Sequence, residues 1–211
     1  MELLDHLYQP SKTENSTQLI ILLHGYGSNK EDLYSFSPYI HDKSHVVSLE
    51  APMALPFGGN AWYSINFDAE KGKWSDVDEA KKNSVLLLDN IAHWKEKTGA
   101  EKVLLMGFSQ GAIMSYATAF GNPDLVQSVV AMSGYLMEGW QNPVPMPTSF
   151  SIFASHGLAD NVIPIEWAKD SVVAIDQQNV DITFHEYPEG HGVSQANFQD
   201  LMHWLKGKDW A

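Results

Sequence analysis

The sequence predicts an α/β fold, a mostly parallel central sheet of about seven strands with helices on both faces. Three observations carry that expectation. Leu19-Ile20-Ile21-Leu22-Leu23 and Val103-Leu104-Leu105-Met106 are short, continuously apolar runs, the pattern of strands buried on both faces of a parallel sheet. Each run passes through a glycine-bearing turn into a helix-like stretch. The 211 residues contain no repeat, low-complexity tract or linker, which suits one domain over 1–211 with a substantial core.

In chain order, strands are expected near 4–8, 19–23, 45–50, 102–107, 127–133, 150–155 and 182–187. The second and fourth are the apolar runs above. The sixth holds the apolar stretch 151–154, and the seventh is the strand-like Ile182-Thr183-Phe184-His185-Glu186-Tyr187. Helices are expected over 30–40, 79–97, 111–121, 165–178 and 194–206. Two longer loops remain, 51–77 and 134–149, the second with Pro143, Pro145 and Pro147. Neither is long enough for a cap domain, so a shallow, open active-site cleft is expected.

The fourth strand runs into Gly107-Phe108-Ser109-Gln110-Gly111, the G-x-S-x-G pattern of a nucleophile elbow. Such a serine stands at the tip of a strained strand-to-helix turn. The flanking residues press together there, so glycine at 107 and 111 removes side chains that would collide. Ser109 needs a base, and His191 is the choice among nine histidines, in Glu189-Gly190-His191-Gly192 directly after the last strand. The base needs an acid to hold its tautomer. Asp160 lies just past the sixth strand, whereas Asp124 follows a helix and Asp181 precedes its strand. The order Ser109, Asp160, His191 is that of α/β-hydrolases, and not of the chymotrypsin or subtilisin types. His24 and His156 stand at strand exits, where structural roles are expected. No H-E-x-x-H or cysteine cluster points to a metal.

An oxyanion hole is expected from the backbone N–H of Gln110 and that of Tyr26, in the turn after the second strand. Met53, Leu55, Phe57, Trp62, Tyr63, Leu136 and Met137 are candidates for an acyl pocket, with Trp62 and Tyr63 chosen as substrate-binding.

Together, Leu23-His24-Gly25-Tyr26-Gly27, the elbow, His156-Gly157 with Asp160 and Pro164, and Tyr187 with Gly190-His191 resemble the small carboxylesterase/phospholipase family that includes the acyl-protein thioesterases. Ala51-Pro52 and Trp62-Tyr63 resemble its substrate loop, although Ser64 stands where the family usually has Asp. Ala112 stands where its elbows often carry a further glycine. The resemblance implies hydrolysis of carboxylic esters or thioesters, or lysophospholipase activity, without a cofactor. A non-catalytic ligand receptor on the same fold is the reading of a different class.

With 26 acidic residues against 13 basic ones, the net charge is −13, and all the basic residues are lysine. The acidic field and missing guanidinium forks argue against nucleic acid and anionic phosphate-rich substrates, and favour neutral or weakly polar acyl esters as small-molecule substrates. No cysteine is present, so nothing requires an oxidising compartment. Met1-Glu2-Leu3-Leu4-Asp5-His6 lacks a signal-peptide pattern, and the apolar runs are too short to span a bilayer. A cytoplasmic monomer or homodimer without membrane insertion is therefore expected.

Overall fold

The computed structural model describes residues 3–68, 72–137, 140 and 150–211. Strands β1 (His6–Gln9), β2 (Gln18–Leu23) and β3 (His45–Leu49) come first, with the one-turn helices α1 (Glu31–Tyr34) and α2 (Ser37–Ile40) before β3. Two hairpins follow, β4 (Met53–Ala54) with β5 (Asn60–Ala61) and β6 (Ile65–Asp68) with β7 (Gly72–Ser75), then helix α3 (Val77–Thr98). Next come β8 (Lys102–Phe108), α4 (Gln110–Gly121), β9 (Ser128–Met132) and β10 (Ser151–Gly157). Helix α5 (Ile165–Asp176), β11 (Asp181–Tyr187) and α6 (Gln195–Gly207) complete the order.

Seven strands form one sheet in the order β1-β3-β2-β8-β9-β10-β11, all seven of them expected from the sequence. Only the edge pair β1–β3 is antiparallel. The strand order reverses between β2 and β8, where a parallel sheet opens a crevice beyond its C-terminal ends. Side chains of each central strand alternate between two cores. Leu19, Ile21, Leu23, Val103, Leu105, Val129 and Ile152 face the core shared with α3, α4 and α5. Ile20, Leu22, Leu104, Met106, Val130 and Phe153 face the one shared with α1, α2 and α6. Burial on both faces explains why these strands read as unbroken apolar runs.

Helix boundaries follow local chemistry. The expected helix over 30–40 is two separate turns. Pro38 has no N–H for the carbonyl four residues back, and its ring crowds that carbonyl, so one continuous helix cannot form. Helix α3 starts earlier than expected because the Asp76 side chain caps it by accepting from Glu79 N, and it stops at left-handed Gly99.

Among the described residues, the stretch between β3 and α3 holds only the two hairpins, and no cap domain covers the sheet's edge. The proline-bearing part of the 134–149 loop lies outside the described residues. No helix among them is long and apolar enough to cross a membrane.

Candidate active site

Ser109 stands between β8 and α4 with φ 54° and ψ −117°, a strained conformation for a residue with a side chain. The turn is held from both sides. Ser109 N–H donates to the Met132 carbonyl of β9, and its own carbonyl accepts from Ala112 and Ile113 N–H. A Cβ on Gly107 would lie 2.2 Å from the Gly111 carbonyl oxygen, as the expected mutual crowding requires. Gly111 faces a different neighbour. Its added Cβ would lie 1.9 Å from the Leu23 carbonyl oxygen, so this glycine lets the elbow close against β2.

His191 and Asp160 reach Ser109 from the loops after β11 and β10. Backbone hydrogen bonds from Leu158 N to Tyr187 O and from Ala159 N to Glu189 O tie those loops together. Ser109 Oγ lies 2.9 Å from His191 Nε2, and His191 Nδ1 lies 2.7 Å from Asp160 Oδ2. The other carboxylate oxygen, Oδ1, accepts from Val162 N at 2.8 Å and Ile163 N at 3.0 Å. Burial alone would raise the Asp160 carboxyl. The hydrogen bond from His191 and those from Ile163 and Val162 outweigh it and hold the group below its ordinary value. The Asp160 side chain is fully buried, while the imidazole keeps some exposure and packs beside the Phe108 ring. The three residues read from the sequence thus form one continuous hydrogen-bonded line.

The turn after β2 lies against the elbow, since a Cβ on Gly25 would come 3.3 Å from Ser109 Cβ. Gln110 opens α4, and its N–H lies ahead of the first intrahelical acceptor. Among the described residues, neither this N–H nor that of Tyr26 is used in a hydrogen bond. Both residues line the same cleft as Ser109 and His191. His24 braces the turn from beneath. Its Nδ1 donates to the Gly25 carbonyl and its Nε2 accepts from Ala51 N, a pairing that needs the uncharged ring. Burial lowers its pKa accordingly.

The two aromatic residues chosen for substrate contact separate. Tyr63 lines the cleft, and Trp62 does not. Trp62 is fully buried, donating through Nε1 to the His24 carbonyl, with its own carbonyl accepting from Asn83. Its work is to fix the segment. The Gln110 side chain clamps both residues, accepting from Trp62 N and donating to the Tyr63 carbonyl, each at 2.7 Å.

The cleft has a volume of about 430 Å³ and is partly open to solvent. Its walls come from Ile65 and Ser75 of the second hairpin, Ile113 of α4, and Tyr135, Ile163 and Trp167. Burial pushes the Tyr63 and Tyr135 phenols up, so both stay protonated beside the Ser75 hydroxyl. Met53, Leu55, Phe57, Leu136 and Met137 are not lining residues; the last two lie in the core and Phe57 is exposed. Tyr135 and Trp167 were not expected. Their edge-to-face contact at 5.0 Å joins segments 32 residues apart in sequence, and no spacing rule finds such a pair.

A sequence model described as Phospholipase/Carboxylesterase matches residues 6–208. Esterase YpfH of Escherichia coli (strain K12) is 27% identical over 96% of this chain and 88% of its own. Acyl-protein thioesterase 1 of Mycosarcoma maydis is 26% identical over 93% of each chain. Among solved structures, esterase PE8 superposes with a TM-score of 0.88 at 23% identity, covering 98% of this chain and 99% of that one. The Bacillus cereus carboxylesterase superposes with a TM-score of 0.82 at 18% identity, covering 97% and 94%. At these identities the two structures establish a shared α/β-hydrolase fold.

Proposed function

The chain belongs to the phospholipase/carboxylesterase family, and from that premise we propose that it is a serine hydrolase of short-to-medium acyl carboxylic esters. The unbroken line from Asp160 through His191 to Ser109 is the observation that carries the proposal. His191 Nε2 takes the Ser109 proton as Oγ attacks the ester carbonyl carbon. Asp160 supports the resulting imidazolium, and the N–H groups of Tyr26 and Gln110 receive the oxyanion. The imidazolium then protonates the departing alcohol, leaving acyl-Ser109. Water, deprotonated by the same imidazole, attacks this intermediate and releases the acid and the free serine. No cofactor enters these steps, and residues 1–211 act as one catalytic domain.

Cleft size sets the expected chain length. A partly open cleft of about 430 Å³ covers a short acyl chain and leaves the far end of a long one in water. Each buried methylene contributes about 0.8 kcal/mol, so kcat/KM should climb with acyl length until the cleft is full and then flatten or fall. The relatives named acyl-protein thioesterase 1 and lysophospholipase-like protein 1 favour a second reading, cleavage of acyl thioesters or lysophospholipids by the same three residues. Preference for palmitoyl over butyryl substrates below micelle formation would select it.

The decisive experiment is phosphonate labelling with mass spectrometry, paired with turnover of a butyryl ester. The adduct is expected on the peptide holding Ser109. An adduct on Ser133 or Ser155 would overturn the nucleophile assignment. Labelling without turnover of any ester or thioester would point to a ligand receptor on this fold.

A further inference from the structure

The carboxylate of Asp160 touches a second imidazole. His156, the penultimate residue of β10, is fully buried, as is the Asp160 side chain. Its Nε2 lies 2.9 Å from the Ile163 carbonyl oxygen and 3.3 Å from Asp160 Oδ2. A carbonyl only accepts, so Nε2 carries the proton. Nδ1 is buried without a hydrogen-bond partner among the described residues, which leaves that nitrogen bare.

We infer that His156 is a positioning residue for ester hydrolysis: its Nε2–H, donated to the Ile163 carbonyl, also presents its positive end to Asp160 Oδ2 at 3.3 Å and so holds the carboxylate that orients His191. The inference rests on the reading of Asp160, His191 and Ser109 as the catalytic line.

The contacts form a closed ring. Ile163 N donates to Asp160 Oδ1, the Ile163 carbonyl accepts from His156 Nε2, and the same Nε2 reaches Asp160 Oδ2. Val162 N and Ile163 N anchor Oδ1 alone. A carboxylate held only there can still pivot about Oδ1 and swing Oδ2 away from His191 Nδ1. Backbone hydrogen bonds from Leu158 and Ala159 hold the course of the loop, but neither they nor the bonds to Oδ1 reach Oδ2. Restraint on Oδ2 comes from beneath, from an imidazole fixed to the end of a buried strand. A purely structural role, pinning Ile163, would act differently. Ile163 lines the cleft and its N–H anchors Oδ1, so its displacement would raise KM and lower stability together with any loss in kcat.

Two amide substitutions separate the roles. In His156→Gln the amide nitrogen occupies about the place of Nε2 and keeps the donor; in His156→Asn it falls near Nδ1 and the donor is lost. With a butyryl ester, folded His156→Asn should lose about a hundredfold in kcat, the scale of a displaced catalytic group, with KM nearly unchanged. His156→Gln should recover most of that loss. The low-field proton resonance of His191 Nδ1–H should persist in wild type and His156→Gln and move upfield or vanish in His156→Asn. Equal kcat and an unchanged resonance in the two variants, or a rise in KM that matches or exceeds any fall in kcat, overturns the inference. Nitrogen-15 histidine spectra of the wild-type protein test it even if a variant does not fold, because a proton on His156 Nδ1 instead of Nε2 refutes it directly. Phosphonate labelling of wild type keeps the two proposals apart. Failure to label Ser109 removes the catalytic line itself, whereas labelling with indifferent His156 variants removes only the positioning role.

Discussion

Gln110→Ala is the substitution whose cost can be worked from two contacts. The side chain carries nothing the chemistry uses, since only its backbone N–H belongs to the proposed oxyanion hole. Its amide instead satisfies Trp62 N–H and the Tyr63 carbonyl, both buried, at 2.7 Å each. Truncation strands one donor and one acceptor. Each stranded group costs about 1–3 kcal/mol, so the sum is about 2–6 kcal/mol. For a chain of this size each kcal/mol lowers Tm by about 2–4 °C, giving a fall of roughly 4–24 °C. A water entering the vacated space and bridging both groups would bring the value to the low end. Because Tyr63 walls the cleft, kcat/KM on a butyryl ester should fall as well, beyond what partial unfolding explains at the assay temperature. Thermal melting followed by circular dichroism, with kinetics well below the lowered Tm, measures both. A folded Gln110→Ala protein with wild-type Tm would show that the clamp contributes nothing, and the account of how segment 62–63 is held would be wrong.

Three other outcomes are expected. Ser109→Gly should abolish turnover yet raise Tm, because glycine accepts φ 54° without the roughly 1–3 kcal/mol of strain a side chain stores there; an unchanged or lower Tm would mean the elbow is not strained. Asp160→Asn should lower kcat by about 10⁴-fold through the wrong His191 tautomer, and full activity would reassign the acid. Because the folded Asp160 pKa is lowered, its contribution to stability is complete above the ordinary 3.8 and is lost as pH falls through the lower folded value, so this variant should also show a shallower acid limb. His24 is likewise lowered, by burial, below its ordinary 6.5, so the unfolded chain takes up the proton first and stability should decline as pH falls below 6.5. His45, lowered for the same reason, shares that window, so His24→Gln should reduce the slope without removing it; a wild-type Tm flat with pH below 6.5 would refute the buried, uncharged ring.

What could be read from the sequence is what a single segment decides by itself. Residues 19–23 and 103–106 must be buried on both faces to be that apolar, so strand and sheet type follow together. Ser109, Asp160 and His191 each sit in a loop directly after a strand, and parallel strands bring such loops to one edge, so chain order was enough to group them. Pro38 was visible, but its effect depends on which carbonyl it faces four residues back, a local rule that the broader helical pattern over 30–40 obscured. The cleft walls follow no such rule, because Ile65, Tyr135 and Trp167 meet only when three separate connections fold over the sheet's edge.

Trp62 and Tyr63 mark that boundary most sharply. Both are large, aromatic and adjacent, and nothing in their own neighbourhood says which one faces substrate. The choice is made 48 residues away from Trp62, where the Gln110 amide takes Trp62 N–H and Tyr63 C=O as a pair and the Trp62 indole is drawn to the His24 carbonyl. Gln110 is the residue after the nucleophile, so the turn that presents Ser109 also sets which aromatic ring borders the space beside it. Nucleophile and cleft wall are therefore one mechanical unit, and the Gln110→Ala melting and kinetic changes should appear together or not at all.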